Sequence, residues 1–297
     1  MSVPVAFLGV VLIWSTTPLA IKWSSADAGF LFAVTARMVL GLALCLPALR
    51  LSGTPLSWES AARRTYVAAG LGIYGSMTAV YWSSRFIPSG WIAVLFGLTP
   101  LVTSFMSVFW LGEGRLSVAR LAGLLTAVAG LAVMFGNSAA LGGNARYGVV
   151  AVLVSVLAHS ASSVWVRRIG AGLPALAVTA GGLSVSVPLF LLTWFLADGT
   201  SPGTLSARAC YSILYLAVFG SVLGFFWYYY LLKRMEAVHV NLLTLITPFS
   251  ALLLGAWIND EPVTARVWAG AALIVAGLLF YQRDLMLRRR DISVVQD

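Results

Sequence analysis

Apolar runs long enough to cross about 30 Å of hydrocarbon as helix follow one another along this chain with only short polar joints between them. They lie near 3–22, 30–49, 66–84, 88–110 and 118–137, and again near 147–166, 173–197, 208–232, 237–258 and 264–283. The joints carry turn chemistry: Ser52-Gly53-Thr54-Pro55, Gly112-Glu113-Gly114, Gly142-Gly143-Asn144 and Asp198-Gly199-Thr200-Ser201-Pro202. Trp23, Tyr66, Trp82, Trp110, Tyr147, Trp194, Trp268 and Tyr281 mark span ends, where amphipathic rings anchor at the interface. The pattern predicts an all-α integral membrane protein of ten transmembrane helices.

Composition supports that reading. Of 297 residues, 60% are hydrophobic and only 10% charged, where a soluble domain carries about a quarter charged. The net charge of +9 does not point to nucleic acid, because the basic residues sit in short clusters between apolar runs and form no basic face. Arg63-Arg64, Arg167-Arg168, Lys233-Arg234 and Arg288-Arg289-Arg290 fall on one side of the predicted membrane. Only the isolated Lys22, Arg85, Arg146, Arg208 and Arg266 fall on the other. The bias places both termini in the cytoplasm. The first run resembles a signal peptide in length, but no basic residue precedes it and Ser15-Thr16-Thr17-Pro18 interrupts it, so it reads as the first span. Cys45 and Cys210 are expected near opposite faces as two small buried hydrophobes, without a disulfide.

The chain repeats. At one constant offset Gly72 maps to Gly220, Tyr81 to Tyr229, Arg85 to Lys233, Thr99-Pro100 to Thr247-Pro248 and Glu113 to Glu261. One residue off that register, Gly123 and Gly130 map to Gly270 and Gly277. The repeats are residues 3–137 and 147–283, five helices each, followed by a cytoplasmic tail, 284–297. Because five is odd, the second half must insert upside down. That is an inverted repeat, an architecture common among secondary transporters.

Two five-span halves in about 300 residues resemble the drug/metabolite transporter superfamily, most nearly its EamA-type members. The resemblance rests on Trp14, Arg37, Gly-Leu-Thr-Pro at 97–100 running on to Leu111-Gly112-Glu113, Leu245-Ile246-Thr247-Pro248, Glu261 and the small-residue stripe of the last span. It covers nearly the whole chain. It implies export or exchange of small metabolites, amino acids or drugs across the inner membrane. The chain departs from symmetry at Trp14, which meets His159 when Lys22 is set on Arg167.

Several residues are candidates for a site. Pro100 and Pro248 each remove a backbone hydrogen bond near the middle of spans four and nine. They release the carbonyls of Phe96 and Thr244, which Thr99 and Thr247 can help satisfy. The kinks either flank a central cavity or serve packing. Arg37, about two turns inside span two, either receives a substrate carboxylate, snorkels to the outer interface, or bonds carbonyls of a neighbouring helix. His159 either relays a proton or makes an interhelical hydrogen bond. Tyr81 and Tyr229 line a cavity or belong to an interfacial belt. Trp14, Tyr81, Thr99, His159, Tyr229 and Thr247 are expected to line one central space. The stripes Gly123/Ala127/Gly130 and Gly270/Ile274/Gly277 are expected to pack helices, with a subunit interface as the lesser option. Charges give two crossed pairs as gates between the halves, Glu113–Lys233 inside and Arg85–Glu261 outside. The alternative is that each Glu caps the next helix beside Ser117 or Thr264, or pairs locally with Arg115 or Arg266.

No acid falls inside a predicted span, which disfavours a buried carboxylate relay and simple proton antiport. No HExxH, GxSxG or intramembrane Asp pair points to an enzyme, and no filter or charged ring points to a channel. The expected partners are a small-molecule substrate and the bilayer, not nucleic acid, with no cofactor or metal, as a monomer or homodimer. The expected activity is secondary transport of an amino acid or similar solute, with multidrug efflux as the alternative.

Overall fold

A backbone amide or carbonyl has no water to bond in hydrocarbon, so a chain this apolar satisfies its backbone within helices. The computed structural model describes residues 2–294, leaving out 113–116, 136–143, 198, 200–201, 225–226, 228–229, 232–233 and 236, with backbone only at 237–242 and 282–294. Its helices are α1 (Val3–Ala28), α2 (Phe30–Leu51), α3 (Ser60–Ser83), α4 (Ser89–Phe96), α5 (Thr99–Leu111), α6 (Val118–Phe135), α7 (Ala145–Ile169), α8 (Ala175–Ala197) and α9 (Ala207–Tyr215). A π-helical stretch, Leu216–Leu223, continues α9, and α10 (Ala237–Asn259) and α11 (Ala265–Val294) follow. No strand occurs among the described residues.

Among the described residues these elements form ten long helical segments. Val3–Ala28, Phe30–Leu51, Ser89–Leu111, Val118–Phe135, Ala145–Ile169 and Ala175–Ala197 are long and apolar enough to cross a membrane, and Ala207–Leu223, Leu243–Asn259 and Ala265–Tyr281 are shorter apolar helices. The remaining span, α3, is more polar, and its packing explains how that is tolerated. It is sandwiched against both α7 and α8. There Ser76 and Ser155 hydroxyls share a 2.7 Å hydrogen bond, Ser162 Oγ donates to the Ala68 carbonyl at 2.9 Å, and Tyr74 and Thr193 hydroxyls meet at 2.6 Å. Hydroxyls bonded between helices hold them together where lipid gives no hydrophobic drive.

Three differences from the sequence reading concern helix continuity. Span four is two helices, α4 and α5, broken at Gly97-Leu98 rather than merely kinked. Span eight passes from α to π winding at Leu216. The last helix runs on through Val294, past the expected start of a tail at 284. Cys45 is buried as expected, but Cys210 is exposed, because it lies on the outward side of the first turn of α9.

Contacts between the halves follow a simple scheme. α6 lies along α11, and α2 along α8. α3 lies along α7, and α1 along α9. α4 meets α10. Named contacts give directions. Gly123 faces Gly277 and Gly130 faces Gly270, so α6 and α11 run antiparallel. Thr35 reaches Phe190 while Gly41 faces Leu183, so α2 and α8 do too. Gly90 faces Leu252 while Gly97 faces Pro248, so α4 and α10 do likewise.

The glycine stripes of α6 and α11 therefore pack against each other within one chain, and the subunit-interface option for them falls away. A Cβ on Gly123 would sit 2.6 Å from the Gly277 carbonyl oxygen, and one on Gly130 would sit 2.7 Å from that of Gly270. Ala127 and Ile274, between them, are fully buried. Replacing Gly130 by Val is expected to push the helices apart and lower stability by about 1–3 kcal/mol. Val at Gly203, which has nothing within 4 Å, serves as the control. Thermal unfolding in detergent reads the difference, and equal melting temperatures would rule out this close approach.

Candidate functional site

Pro100 creates the first part of the site. Its ring has no N–H and leaves the Phe96 carbonyl without a helical partner. α4 ends at Phe96, and Thr99 Oγ1 turns back to donate to that carbonyl at 2.6 Å. Gly97 lies in the break, where a Cβ would come within 3.4 Å of the Pro248 ring on α10. The His159 ring lies 5.6 Å from the Phe96 ring, and Thr103 Oγ1 bonds Ser160 Oγ at 2.9 Å. Thr99, Pro100, His159 and Pro248 are thus neighbours around one interruption of the backbone. α10 differs, because it passes Pro248 unbroken. Thr247 Oγ1 donates to the Leu243 carbonyl, one full turn back, at 2.8 Å.

Arg37 forms the second part. It is buried on α2, 5% exposed, so it does not snorkel. Its Nε donates to Ser221 Oγ at 3.4 Å and one terminal nitrogen to the Tyr81 hydroxyl at 3.5 Å, both long hydrogen bonds. Ser221 lies in the π-helical stretch and donates to the Leu216 carbonyl at 3.1 Å. The wide π turn brings Gly220 alongside the guanidinium, where a Cβ would be 3.1 Å from it. Among the described residues no carboxylate lies within ion-pair distance of Arg37. A buried cation held by two neutral hydroxyls is incompletely compensated. Tyr81 has no exposed surface, so it backs Arg37 rather than lining an open cavity.

Glu261 forms the third part. It follows α10, yet its carboxylate reaches into the first half. Oε2 accepts from the Ser89 amide and hydroxyl, each at 2.8 Å, and from the Gly90 amide at 3.4 Å. Oε1 takes Lys22 Nζ at 3.2 Å and Asn259 Nδ2 at 3.0 Å. The carboxylate caps the N-terminus of α4, where free amides and the helix dipole favour negative charge. Burial alone would raise its pKa. The Ser89 amide, Lys22, the Ser89 hydroxyl and Asn259 outweigh burial and hold it below the ordinary glutamate value.

Arg85 does not pair with Glu261. Its guanidinium stacks over Phe30 and Phe86, 5.6 Å from each ring, while α1 rather than α3 lies beside α4 and α10 and delivers Lys22. Nor does Glu261 cap its own next helix, where Thr264 instead accepts from the Val267 amide. Trp14 packs with Val10 and Leu243 in a smaller cluster, its indole nitrogen 3.7 Å from where a Cβ on Gly224 would lie. Tyr229, Glu113 and Lys233, and with them the Glu113–Lys233 pair, lie outside the described residues. Among the expected site residues, Arg37 contacts Tyr81, and Thr99 bonds the Phe96 carbonyl beside the His159 ring. Sequence reasoning missed Lys22, Ser89, Asn259 and Ser221. A signal for Lys22 existed, since it matches the basic Arg167 in the repeat.

The cap and the ion pair separate by mutation. Glu261→Ala strips the α4 amides of their acceptor and is expected to destabilise by about 3 kcal/mol. Lys22→Met is expected to cost about 1 kcal/mol, because Lys22 is about a third exposed and partly hydrated. Equal melting-temperature losses would contradict the cap. A depressed carboxylate pKa stabilises the fold at neutral pH, and that share vanishes as pH falls through the folded value. Wild type should therefore lose more stability than Glu261→Gln between neutral pH and the acid side of about 4.3.

The sequence pattern of the EamA-like transporter family matches residues 1–136 and again 146–282. A probable terminal-alkyne amino-acid exporter of Streptantibioticus cattleyicolor is 25% identical, over 95% of this chain and 96% of its own length. A probable amino-acid metabolite efflux pump of Salmonella typhimurium is 28% identical over 73% of this chain and 75% of its own. An uncharacterised transporter of Archaeoglobus fulgidus is 27% identical over 72% and 76%. A solved crystal structure superposes with a TM-score of 0.67 at 23% identity, covering 97% of this chain and 98% of that one, and shares the fold. With all-helical spans and a match over both halves, the chain belongs to the EamA-like transporter family.

Proposed function

We propose that this protein is a secondary transporter that exports or exchanges a small amphipathic metabolite, an amino acid or a close relative, across the inner membrane by alternating access. The observation that carries the reading is Arg37: a buried guanidinium without a carboxylate partner among the described residues, next to Tyr81. A solute carboxylate would complete its charge bidentately. Two relatives named for amino-acid or amino-acid-metabolite export support this substrate class over multidrug efflux.

Alternating access needs two related halves. Spans two and seven, four and nine, and five and ten meet their repeat counterparts antiparallel, which supports an inverted repeat over residues 3–137 and 147–283. With the basic clusters inside, both termini would be cytoplasmic, and the face carrying Lys22 and Glu261 would be the outer one. On this reading Arg37, Tyr81, Thr99, His159 and Thr247, with Trp14 and Tyr229, meet the solute as the halves rock. The break beside Pro100 and the backbone hydrogen bond that Pro248 removes give the needed give in the backbone, and Glu261 holds the outer face shut. Turnover needs neither metal nor covalent chemistry.

Counter-flow in proteoliposomes loaded with amino acids tests the function. A carrier gives saturable uptake stimulated by internal substrate. A channel gives none, and an enzyme consumes substrate without a gradient. Arg37→Gln is expected to reduce counter-flow at least about tenfold, the loss of one charge-assisted hydrogen bond or more. Tyr81→Phe should cost only a few-fold. Undiminished flux in Arg37→Gln would contradict the assignment of the substrate carboxylate.

A further inference from the structure

A cavity of about 460 Å³ lies away from Arg37, at the face where Lys22 meets Glu261, between the end of α1, the start of α9 and the end of α10. Lys22, Trp23, Asp27, Ser206, Arg208 and Asn259 line it. The volume is in the range of small-molecule sites, about 300–1,000 Å³, and holds one amino acid with its side chain. The walls come from both halves of the chain.

The charges in this cavity are arranged unusually. Arg208 lies over the Trp23 ring, 4.8 Å from its centroid. Asp27 lines the same cavity. Neither has an opposite charge within ion-pair distance among the described residues, and they do not pair with each other. Two opposite charges facing one space without collapsing onto each other leave room for a ligand that bridges them. Trp23 is fixed as a wall, because its indole N–H donates to Asn259 Oδ1 at 2.9 Å. Its ring therefore offers a pre-set apolar surface at little entropic cost. Lys22, at the edge of the cavity, is held by Glu261 at 3.2 Å and by the Ile87 carbonyl at 3.4 Å.

We propose that this cavity is a vestibular binding site for a zwitterionic α-amino acid with an apolar side chain. Arg208 takes the carboxylate, Asp27 takes the ammonium group, and the Trp23 ring takes the side chain. The site deepens the transport reading and rests on it for its role, as the place where solute dwells on the outer side of the closed Glu261 clamp. A carboxylate bound here also approaches Lys22 and competes with Glu261 for it, so occupancy loosens the bond that holds the halves together. Exchange would then exceed net flux, because solute arriving from outside helps to open the face it enters by.

Protection from labelling tests the site. Ala26, exposed and lining the cavity, is replaced by Cys in a Cys210→Ser background, which removes the exposed native thiol. The purified protein in proteoliposomes is reacted with a membrane-impermeant maleimide. L-leucine is expected to slow labelling in a saturable way. Leucinamide, which lacks the carboxylate, and 4-methylpentanoate, which lacks the ammonium, should each need at least about tenfold more, since each forfeits a charged hydrogen bond. Arg208→Gln and Asp27→Asn should shift the leucine midpoint by a similar factor. No protection by leucine, or equal protection by all three compounds, overturns the proposal. Leucine counter-flow on the same vesicles separates the two readings. Flux without protection removes the vestibule and leaves the transporter, while protection without flux keeps the binding site and removes transport of that solute.

Discussion

The free ends of a broken helix inside a membrane are the constraint on which this structure turns. An unbonded amide or carbonyl in hydrocarbon costs several kcal/mol, and span four carries a full set of them at each end of α4. Partners reach both ends, and the second half of the chain packs at each. At the N-terminus, Glu261 supplies a carboxylate to the Ser89 and Gly90 amides. At the break, Thr99 closes on the Phe96 carbonyl while Pro248 packs against Gly97. α4 belongs to the first half by sequence, but it is held by α10 and the turn that follows it.

This arrangement accounts for the placement of charge. Glu261 would be expensive to bury alone. It is buried beside Lys22, two amides, a hydroxyl and Asn259, so each of its oxygens has at least two donors. Arg37 is the opposite case, a buried charge with only long bonds to Ser221 and Tyr81. The first charge is saturated and structural. The second keeps unused donor capacity, which fits a group that waits for a ligand. The π winding at Leu216–Leu223 supports the same contrast, because it turns Ser221 and Gly220 toward Arg37 where an α-helical register would rotate them away.

Much of the fold was legible because the bilayer imposes simple rules. Apolar length marked the spans, Thr99-Pro100 marked the weak point of span four, and the Gly123/Gly130 and Gly270/Gly277 stripes marked surfaces of close approach. The partner of Glu261 was not legible in the same way. Charge counting assigns residues to a face of the membrane, but not to a position around the bundle. Arg85 and Lys22 share a predicted face, and only the helix order decides between them. α1 stands beside α4 and α10, and α3 stands beside α7 and α8. The π stretch left no trace either, since its residues, Leu-Ala-Val-Phe-Gly-Ser-Val-Leu, read as ordinary apolar helix. Arg37 was singled out as an intramembrane charge, but the hydroxyls that hold it come from α3 and span eight, distant in sequence.

The central claim is that Glu261 fastens the two halves at one face through α4. Double electron–electron resonance between spin labels at the exposed Asp27, at the end of α1, and Arg266, in the first turn of α11, reads that fastening directly in nanodiscs. With Glu261 intact the account predicts one narrow distance distribution. With Glu261→Gln it predicts a second, longer population, as the weakened cap lets the face open. A single distribution that is unchanged by Glu261→Gln would contradict it.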